Sequence, residues 1–257
     1  CYGLTLRYGQ RHAIEVERAR QLAETYRLAE HRVLAVDLAG WGGSSLTGAG
    51  PIPHHEDIGG ACTAGVNELG KRTAGVNEAG KREDSSTRGT PSQVAPSGKP
   101  HSGKPPSEEI PSTYVPARNT ILLSFALAWA EVLGAEAIFA GMSTVDYSGY
   151  PDCRPEFVGA FQALANVATK AGVEGHGPII RAPLIHKSKA ETIRWGLALG
   201  LDYGLTWSCD DPQPGPRPCG ACDSCRLRAR GFAEADHHDP LLTADGEGRG
   251  RMEETVR

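Results

Sequence analysis

Residues 2–38 read YGLTLRYGQRHAIEVERARQLAETYRLAEHRVLAVDL, and this stretch decides the fold. Tyr2 to Tyr8 alternates as a strand. From Arg11 to Leu28 the apolar positions Val16, Ala19, Leu22, Ala23 and Tyr26 recur at helical spacing and share one face. Arg32 to Leu38 alternates again. Strand, amphipathic helix, strand is a βαβ unit, and it predicts a parallel α/β sheet.

The same grammar resumes downstream. Thr120–Leu133 predicts a helix with Leu122, Phe125, Ala126, Trp129 and Leu133 on one face and Asn119 as its N-cap. Ala137–Gly141 predicts a short buried strand, Glu156–Lys170 a helix and Pro178–Ala182 another strand. The run Ser188-Lys-Ala-Glu191 is a capping box that opens a helix ending near Gly200. Between these halves lies different material. Thr63-Ala-Gly-Val-Asn-Glu-Leu-Gly-Lys-Arg72 repeats almost unchanged over residues 73–82, followed by Ser, Pro, Gly and Lys. Too little apolar surface is available there to offset ordering entropy, so 59–107 reads as a disordered low-complexity insertion. The expected organisation is therefore 1–58 and 108–204 as two parts of one α/β domain, a cysteine module over 205–236 and a flexible tail over 237–257.

The cysteine module is the densest signal. Thr206-Trp-Ser-Cys-Asp-Asp-Pro212 is followed by Cys219-Gly-Ala-Cys-Asp-Ser-Cys-Arg226. Two overlapping Cys-x-x-Cys turns aim sulfurs at one point, and Cys209 closes the set across a loop, so Cys209, Cys219, Cys222 and Cys225 are expected to hold Zn2+. Four thiolates leave no open coordination position, and the ion is then structural. Disulfide pairing is the alternative; it belongs to oxidising compartments, and the sequence shows no secretory signal. With 39% hydrophobic and 23% charged residues and a net charge of -4, the composition has no broad basic footprint for nucleic acid. No apolar run is long enough to span a membrane, and a cytoplasmic setting is expected.

Other constellations fall at strand ends, where ligands bind in such sheets. Tyr8-Gly-Gln-Arg-His12 follows the first strand. Ser112-Thr-Tyr-Val-Pro-Ala-Arg-Asn119 leads rigidly to a helix N-terminus, where Arg118 offers a fork for phosphate or carboxylate; a capped helix with a solvated arginine explains it equally well. Asp146-Tyr-Ser-Gly-Tyr-Pro-Asp-Cys-Arg-Pro-Glu156 gathers carboxylates, tyrosines, a thiol and an arginine. Carboxylates accept from the pairing edge of a guanine-like base and tyrosines stack on its face. A hydrogen-bonded surface loop is the plainer alternative. Pro183-Leu-Ile-His-Lys-Ser-Lys-Ala-Glu191 sets Lys187 and Lys189 around a helix start, as phosphate contacts or as ordinary surface lysines. His12 and His186 lack a second ligand at metal spacing.

Together these segments resemble the 7-cyano-7-deazaguanine synthase family of queuosine biosynthesis. The resemblance rests on Tyr8 to His12, Gly42-Gly-Ser-Ser-Leu-Thr47, residues 110–120, residues 145–157, Pro183 to Glu191, and Thr206 through the cysteines to Phe232. It implies an adenine-nucleotide α-hydrolase-like (PP-loop, Rossmann-like) fold with strand order 3-2-1-4-5. It also implies an ATP-dependent ligase, with Mg2+ on the phosphates, that converts 7-carboxy-7-deazaguanine and ammonia to the nitrile through adenylated intermediates. Arg118 and Lys189 are expected to carry catalysis. Tyr114, Asp146, Tyr147, Asp152, Cys153 and Arg154 are expected to bind substrate, and Tyr8, Gly9, Gln10 and Arg11 the nucleotide. Expected partners are the small-molecule substrate and ammonia, without nucleic acid or membrane; a homodimer is admitted.

Three departures accompany the resemblance. The family's first strand and its Ser-Gly-Gly-x-Asp-Ser phosphate loop do not occur, so the chain is expected to lack its central strand, to expose unpaired edges inside the sheet and not to turn over ATP. Arg7 stands where the family has an acidic or amide residue. The insertion over 59–107 is foreign to it. The rival expectations are an inactive, zinc-bearing binder of a deazaguanine and a tRNA-thiolating PP-loop relative; the latter needs a redox-active cysteine pair, against which four metal-locked thiolates argue.

Overall fold

The computed structural model describes residues 1–55, 110–143, 149–212, 214 and 217–242. The insertion read over 59–107, together with Asp146 and Tyr147, lies outside the described residues.

Strand β1 (Tyr2–Arg7), helix α1 (Ile14–Thr25) and strand β2 (Glu30–Ala35) form the expected βαβ unit. The two strands pair in parallel from Tyr2 opposite Glu30 to Arg7 opposite Ala35. Val16 and Ala23 anchor α1, whereas Tyr26 at the far end of the expected apolar face stays exposed. Helix α2 (Arg118–Leu133) leads to strand β3 (Ala137–Phe139). Helix α3 (Pro155–Ala168), the short α4 (Lys170–Val173) and strand β4 (Ile179–Arg181) follow. β3 and β4 are again parallel, with Ile138 opposite Ile180. Helix α5 (Lys189–Ala198) opens with the expected capping box, in which Ser188 and Glu191 bond each other's main-chain N–H groups. Helix α6 (Asp223–Glu234) closes the cysteine module.

One continuous sheet does not form. Among the described residues the strands make two separate parallel pairs, β1 with β2 and β3 with β4. Helix α2 spans both pairs. Its C-terminal half meets the start of β1, where the Tyr2 ring lies edge-on to Trp129 with centroids 5.8 Å apart. Its first residue, Arg118, meets the end of β1 through the Tyr8 hydroxyl at 3.1 Å.

The sequence pattern misjudges α2 in two ways. The cap is not Asn119: Ala117 stands there in a left-handed conformation, φ 54°, and Asn119 is the second helical residue. The residues packed into the main core are Leu123, Leu127 and Ala130, together with Ile138, Met142, Phe161, Ala165 and Ile180. Of the expected face, Ala126 packs against that core too, Leu122, Trp129 and Leu133 line an adjoining cleft, and Phe125 is exposed. A helix apolar on nearly every side has two apolar faces, and periodicity alone does not rank them.

Candidate functional site

Two centres occupy one end of the molecule. In the first, the sulfurs of Cys209, Cys219, Cys222 and Cys225 all lie within 4.8 Å of one another. Cys219 to Cys225 and Cys222 to Cys209 are both 4.0 Å. A disulfide needs about 2.05 Å, whereas ligands about 2.3 Å from a tetrahedral zinc stand a little under 4 Å apart. The set therefore fits a metal ion. Main-chain N–H groups of Cys219, Ala221 and Cys222 point at the Cys209 and Cys219 sulfurs at 3.2–3.4 Å, which favours thiolates. The sulfurs share protons as one unit: hydrogen bonds from Cys209 and Cys225 hold Cys222 well below the usual thiol range, while bonding to Cys222 pushes Cys209 up to about 12. Ile52, Leu46 and Trp207 pack around them.

The rest of the module is pinned to the body. The side chain of Asp223, in the first turn of α6, takes the His55 main-chain N–H at 2.8 Å and faces its Nδ1 at 2.7 Å. Arg228 is buried and grips both oxygens of buried Asp239 at 2.7 and 2.9 Å, with Thr206 at 2.7 Å. Asp239 was expected in a flexible tail, so the module extends past Asp236; the pattern of a charged, glycine-rich stretch hides one residue with a buried partner.

The second centre forms where β1 ends and α2 begins. Tyr8 is buried, and the half-buried Arg118 donates to its hydroxyl while lying over its ring, 5.6 Å from the centroid. Burial pushes the Tyr8 phenol up. Burial also opposes the Arg118 charge, yet Tyr8, Glu15 and Cys153 together leave the guanidinium raised above its ordinary value. Burial pushes up the carboxyl of Asp210, next to Cys209, while the Ser224 hydroxyl donates to it and the Arg118 charge opposes the rise. Asp210 was missed in the sequence, where adjacency to Cys209 was the only available signal.

The loop read as a base pocket docks on the start of α2. Buried Asp152 accepts the Asn119 main-chain N–H at 2.9 Å, and buried Cys153 accepts from the Asn119 side chain at 3.0 Å. Asp152 thereby supplies the capping that Ala117 does not. Tyr114 stacks on Tyr150 at 6.1 Å and accepts the Ala117 N–H at 3.0 Å; Tyr150 meets Thr113 at 2.6 Å. Arg154 is exposed at the N-cap of α3.

The expected nucleotide contacts divide. Gly9 has φ +83°, and a Cβ there would lie 2.6 Å from that of Ala39, so both backbone and space demand glycine. Gln10 caps the Tyr8 N–H at 2.9 Å. The guanidinium of Arg11 is spent on the carbonyls of Gly48 and Gly50, at 3.0 and 2.5 Å. Lys189 runs its stem along Gly231 of α6, and among the described residues no hydrogen bond or ion pair joins it to Arg118.

A parallel α/β core, a four-cysteine metal-competent centre and an arginine poised at a strand end define the class. A family model described as "Queuosine biosynthesis protein QueC" matches residues 1–63 and 90–236. A 7-cyano-7-deazaguanine synthase of Syntrophus aciditrophicus (strain SB) is 48% identical over 243 residues, covering 94% of this chain and 86% of that protein. One from Azoarcus sp. (strain BH72) is 47% identical over 240 residues, covering 93% and 84%. One from Geobacter metallireducens (strain ATCC 53774 / DSM 7210 / GS-15) is 46% identical over 244, covering 95% and 82%. The chain belongs to this 7-cyano-7-deazaguanine synthase family. Among the described residues no helix is long and apolar enough to cross a membrane.

Proposed function

We propose that this chain binds 7-carboxy-7-deazaguanine where β1 ends and α2 begins and converts it, with ATP and ammonia, to 7-cyano-7-deazaguanine. The observation that carries the reading is the docking of the 149–157 loop, through Asp152 and Cys153, onto the helix turn that presents Arg118.

A carboxylate is a poor electrophile. Transfer of an adenylyl group from ATP to its oxygen expels pyrophosphate and leaves an acyl-nucleotide. Ammonia adds at that carbon and AMP departs, giving the amide. A second ATP adenylylates the amide oxygen and again expels pyrophosphate; the nitrogen loses both its protons and AMP departs with that oxygen, giving the nitrile. Each activation concentrates negative charge at phosphate, and a guanidinium held in a partly desolvated setting stabilises it. Arg118 takes that role, oriented by Tyr8. Asp146, Tyr147, Asp152 and Arg154 are assigned to the base, with Tyr114 and Cys153 beside it. Among the described residues only one oxygen of Asp152 is engaged, so the other remains for a base N–H. Gly9 lets the chain approach the nucleotide closely, and Mg2+ accompanies ATP as part of the substrate. Lys189 is assigned to phosphate with less support, since its stem lies against α6.

Zn2+ is the proposed ion of the cysteine centre. With four protein sulfurs it supplies structure, joining the loop around Cys209 to the start of α6.

Incubating the 257-residue chain with 7-carboxy-7-deazaguanine, ATP, Mg2+ and ammonium, and following the nitrile by mass spectrometry, tests the reading. Nitrile formation at catalytic turnover supports it. A second reading, a deazaguanine binder without turnover, rests on the division of the described strands into two separate pairs. Calorimetric binding of the carboxylate without any nitrile decides for the binder; no binding sinks both.

A further inference from the structure

The run Gly40-Trp-Gly-Gly-Ser-Ser-Leu-Thr47 follows β2, and the chemistry proposed above uses none of its side chains. It is held from both sides. Upstream, the Leu38 N–H bonds the Tyr8 carbonyl at 3.2 Å, and buried Leu38 packs with Tyr8 and Val115. The Cβ of Ala39 fills the space that a side chain at Gly9 would need. Downstream, a Cβ on Gly43 would stand 3.3 Å from Pro116, just before the helix start that carries Arg118. The Ser45 N–H bonds the Ser112 carbonyl at 2.8 Å. Ser44 and Ser45 are buried, and the Ser44 hydroxyl oxygen accepts the Leu46 N–H at 3.1 Å.

Trp41 closes a short helical turn, Ala39–Trp41, between these anchors. Ala39 touches Gly9 on one side of it and Gly43 touches Pro116 on the other, so Trp41 stands at the rim of the site that Tyr8 and Arg118 form. It is nonetheless 75% exposed, the most exposed of the four tryptophans. Slackness of the chain is not the reason. Gly42 has φ 71° and ψ −156°, a conformation that only glycine adopts readily, although a Cβ there would meet no atom within 4 Å. The glycine serves the backbone path and not the packing, at the entropic cost that glycine carries on folding. A second glycine, Gly43 at φ 85°, completes the bend. The chain thus holds a large flat ring in water at a fixed place on the rim. Such apolar area leaves water when a flat ligand covers it.

We propose that Trp41 is a stacking residue, whose indole lies against the face of a fused two-ring base bound at the Tyr8–Arg118 end. The inference rests on the function proposed above, which supplies two sources of such a base: the deazaguanine of the carboxylate and the adenine of ATP. Both ligands join a flat base to an anion. The rim offers the matching pair, an indole for the ring and a guanidinium for the charge. A ligand held at both points is fixed in place and in orientation. Stacking reads the π face and not the edge groups, so Trp41 selects for a base as such, and discrimination among bases falls to other side chains.

The test titrates the full zinc-loaded chain with 7-carboxy-7-deazaguanine, with ATP and with inorganic triphosphate, each alone, and follows tryptophan fluorescence beside calorimetry. Quenching is expected from the ligand that carries the stacked base, and none from inorganic triphosphate, which has no ring. Whichever ligand quenches identifies the base. Trp41→Leu keeps apolar bulk but removes the π face; it is expected to abolish the quench and to weaken binding of that ligand by about tenfold. Trp41→Phe retains a ring and is expected to keep most of the affinity. The melting temperature of both variants is expected to stay at that of the unaltered chain, since the indole is exposed. Three results overturn the inference and leave the proposed substrates standing: binding without a quench that depends on Trp41, equal affinity of the leucine variant, or quenching by triphosphate as strong as by ATP. Absence of any binding overturns both.

Discussion

Tyr8 connects a strand end to Arg118 by one hydroxyl, and its removal isolates that contribution. Tyr8→Phe keeps the ring under the guanidinium but deletes the acceptor. A hydrogen bond to a charged group contributes about 1.5–3 kcal/mol. The expected outcome is weaker binding of 7-carboxy-7-deazaguanine in calorimetry, by about tenfold or more, with thermal stability little changed. Asp152→Ala acts differently. It removes the acceptor at the start of α2, and loss of such a cap costs about 0.5–2 kcal/mol. A lower midpoint in urea denaturation is expected, alongside weaker substrate binding. If only stability falls, the aspartate is a cap and nothing more. The sequence marks Asp152 as a candidate side chain but not its bond to Asn119, because a contact across 33 positions leaves no local pattern. Arg11, which the family likeness implies for the nucleotide, bonds the carbonyls of Gly48 and Gly50, contacts that no local pattern in the sequence announces.

Helices α5 and α2 mark the limits of legibility at the level of elements. The capping box of α5 was readable because both partners lie within four residues. Its electrostatics give a pH prediction. Main-chain and side-chain bonds from Ser188 hold Glu191 below the usual carboxylate range. Its folded pKa is depressed, so its contribution to stability is present above the unfolded value and is lost as pH falls through the folded one. Below the ordinary carboxylate range, faster amide exchange at Glu191 and Thr192 is expected, and Glu191→Gln is expected to remove that dependence. The effect is modest, since the carboxylate is solvated. The two apolar faces of α2 were not separable from sequence, because what ranks them is which strand pair packs where. Gly9 is a further element-level test. Gly9→Ala meets both a positive φ and the Ala39 Cβ, so a fall in melting temperature and displaced Tyr8 resonances are expected.

For the whole molecule, the parallel pairs, their connecting helices and the cysteine centre were legible, each resting on short-range spacing. The grip of Arg228 on Asp239 was not legible at all. The metal centre is where distant parts meet: Leu46 and Ile52 from the first half pack on cysteines from the last quarter. Chelation at neutral pH is therefore expected to release one ion per chain and to speed exchange at residues 44–55 as well as in α6. Exchange changes confined to α6 would show that the centre holds only itself.

The contacts of His55 with Asp223 and of Ser45 with Ser112 fasten the chain on either side of residues 59–107. Each anchor joins two described parts of the folded body. A backbone cut between them is therefore expected to leave two fragments that each retain a handle on the other. A protease nick between those positions is expected to leave a particle that co-migrates as one species in gel filtration, and the gene is expected to tolerate being split, or re-joined in circular order, at that point.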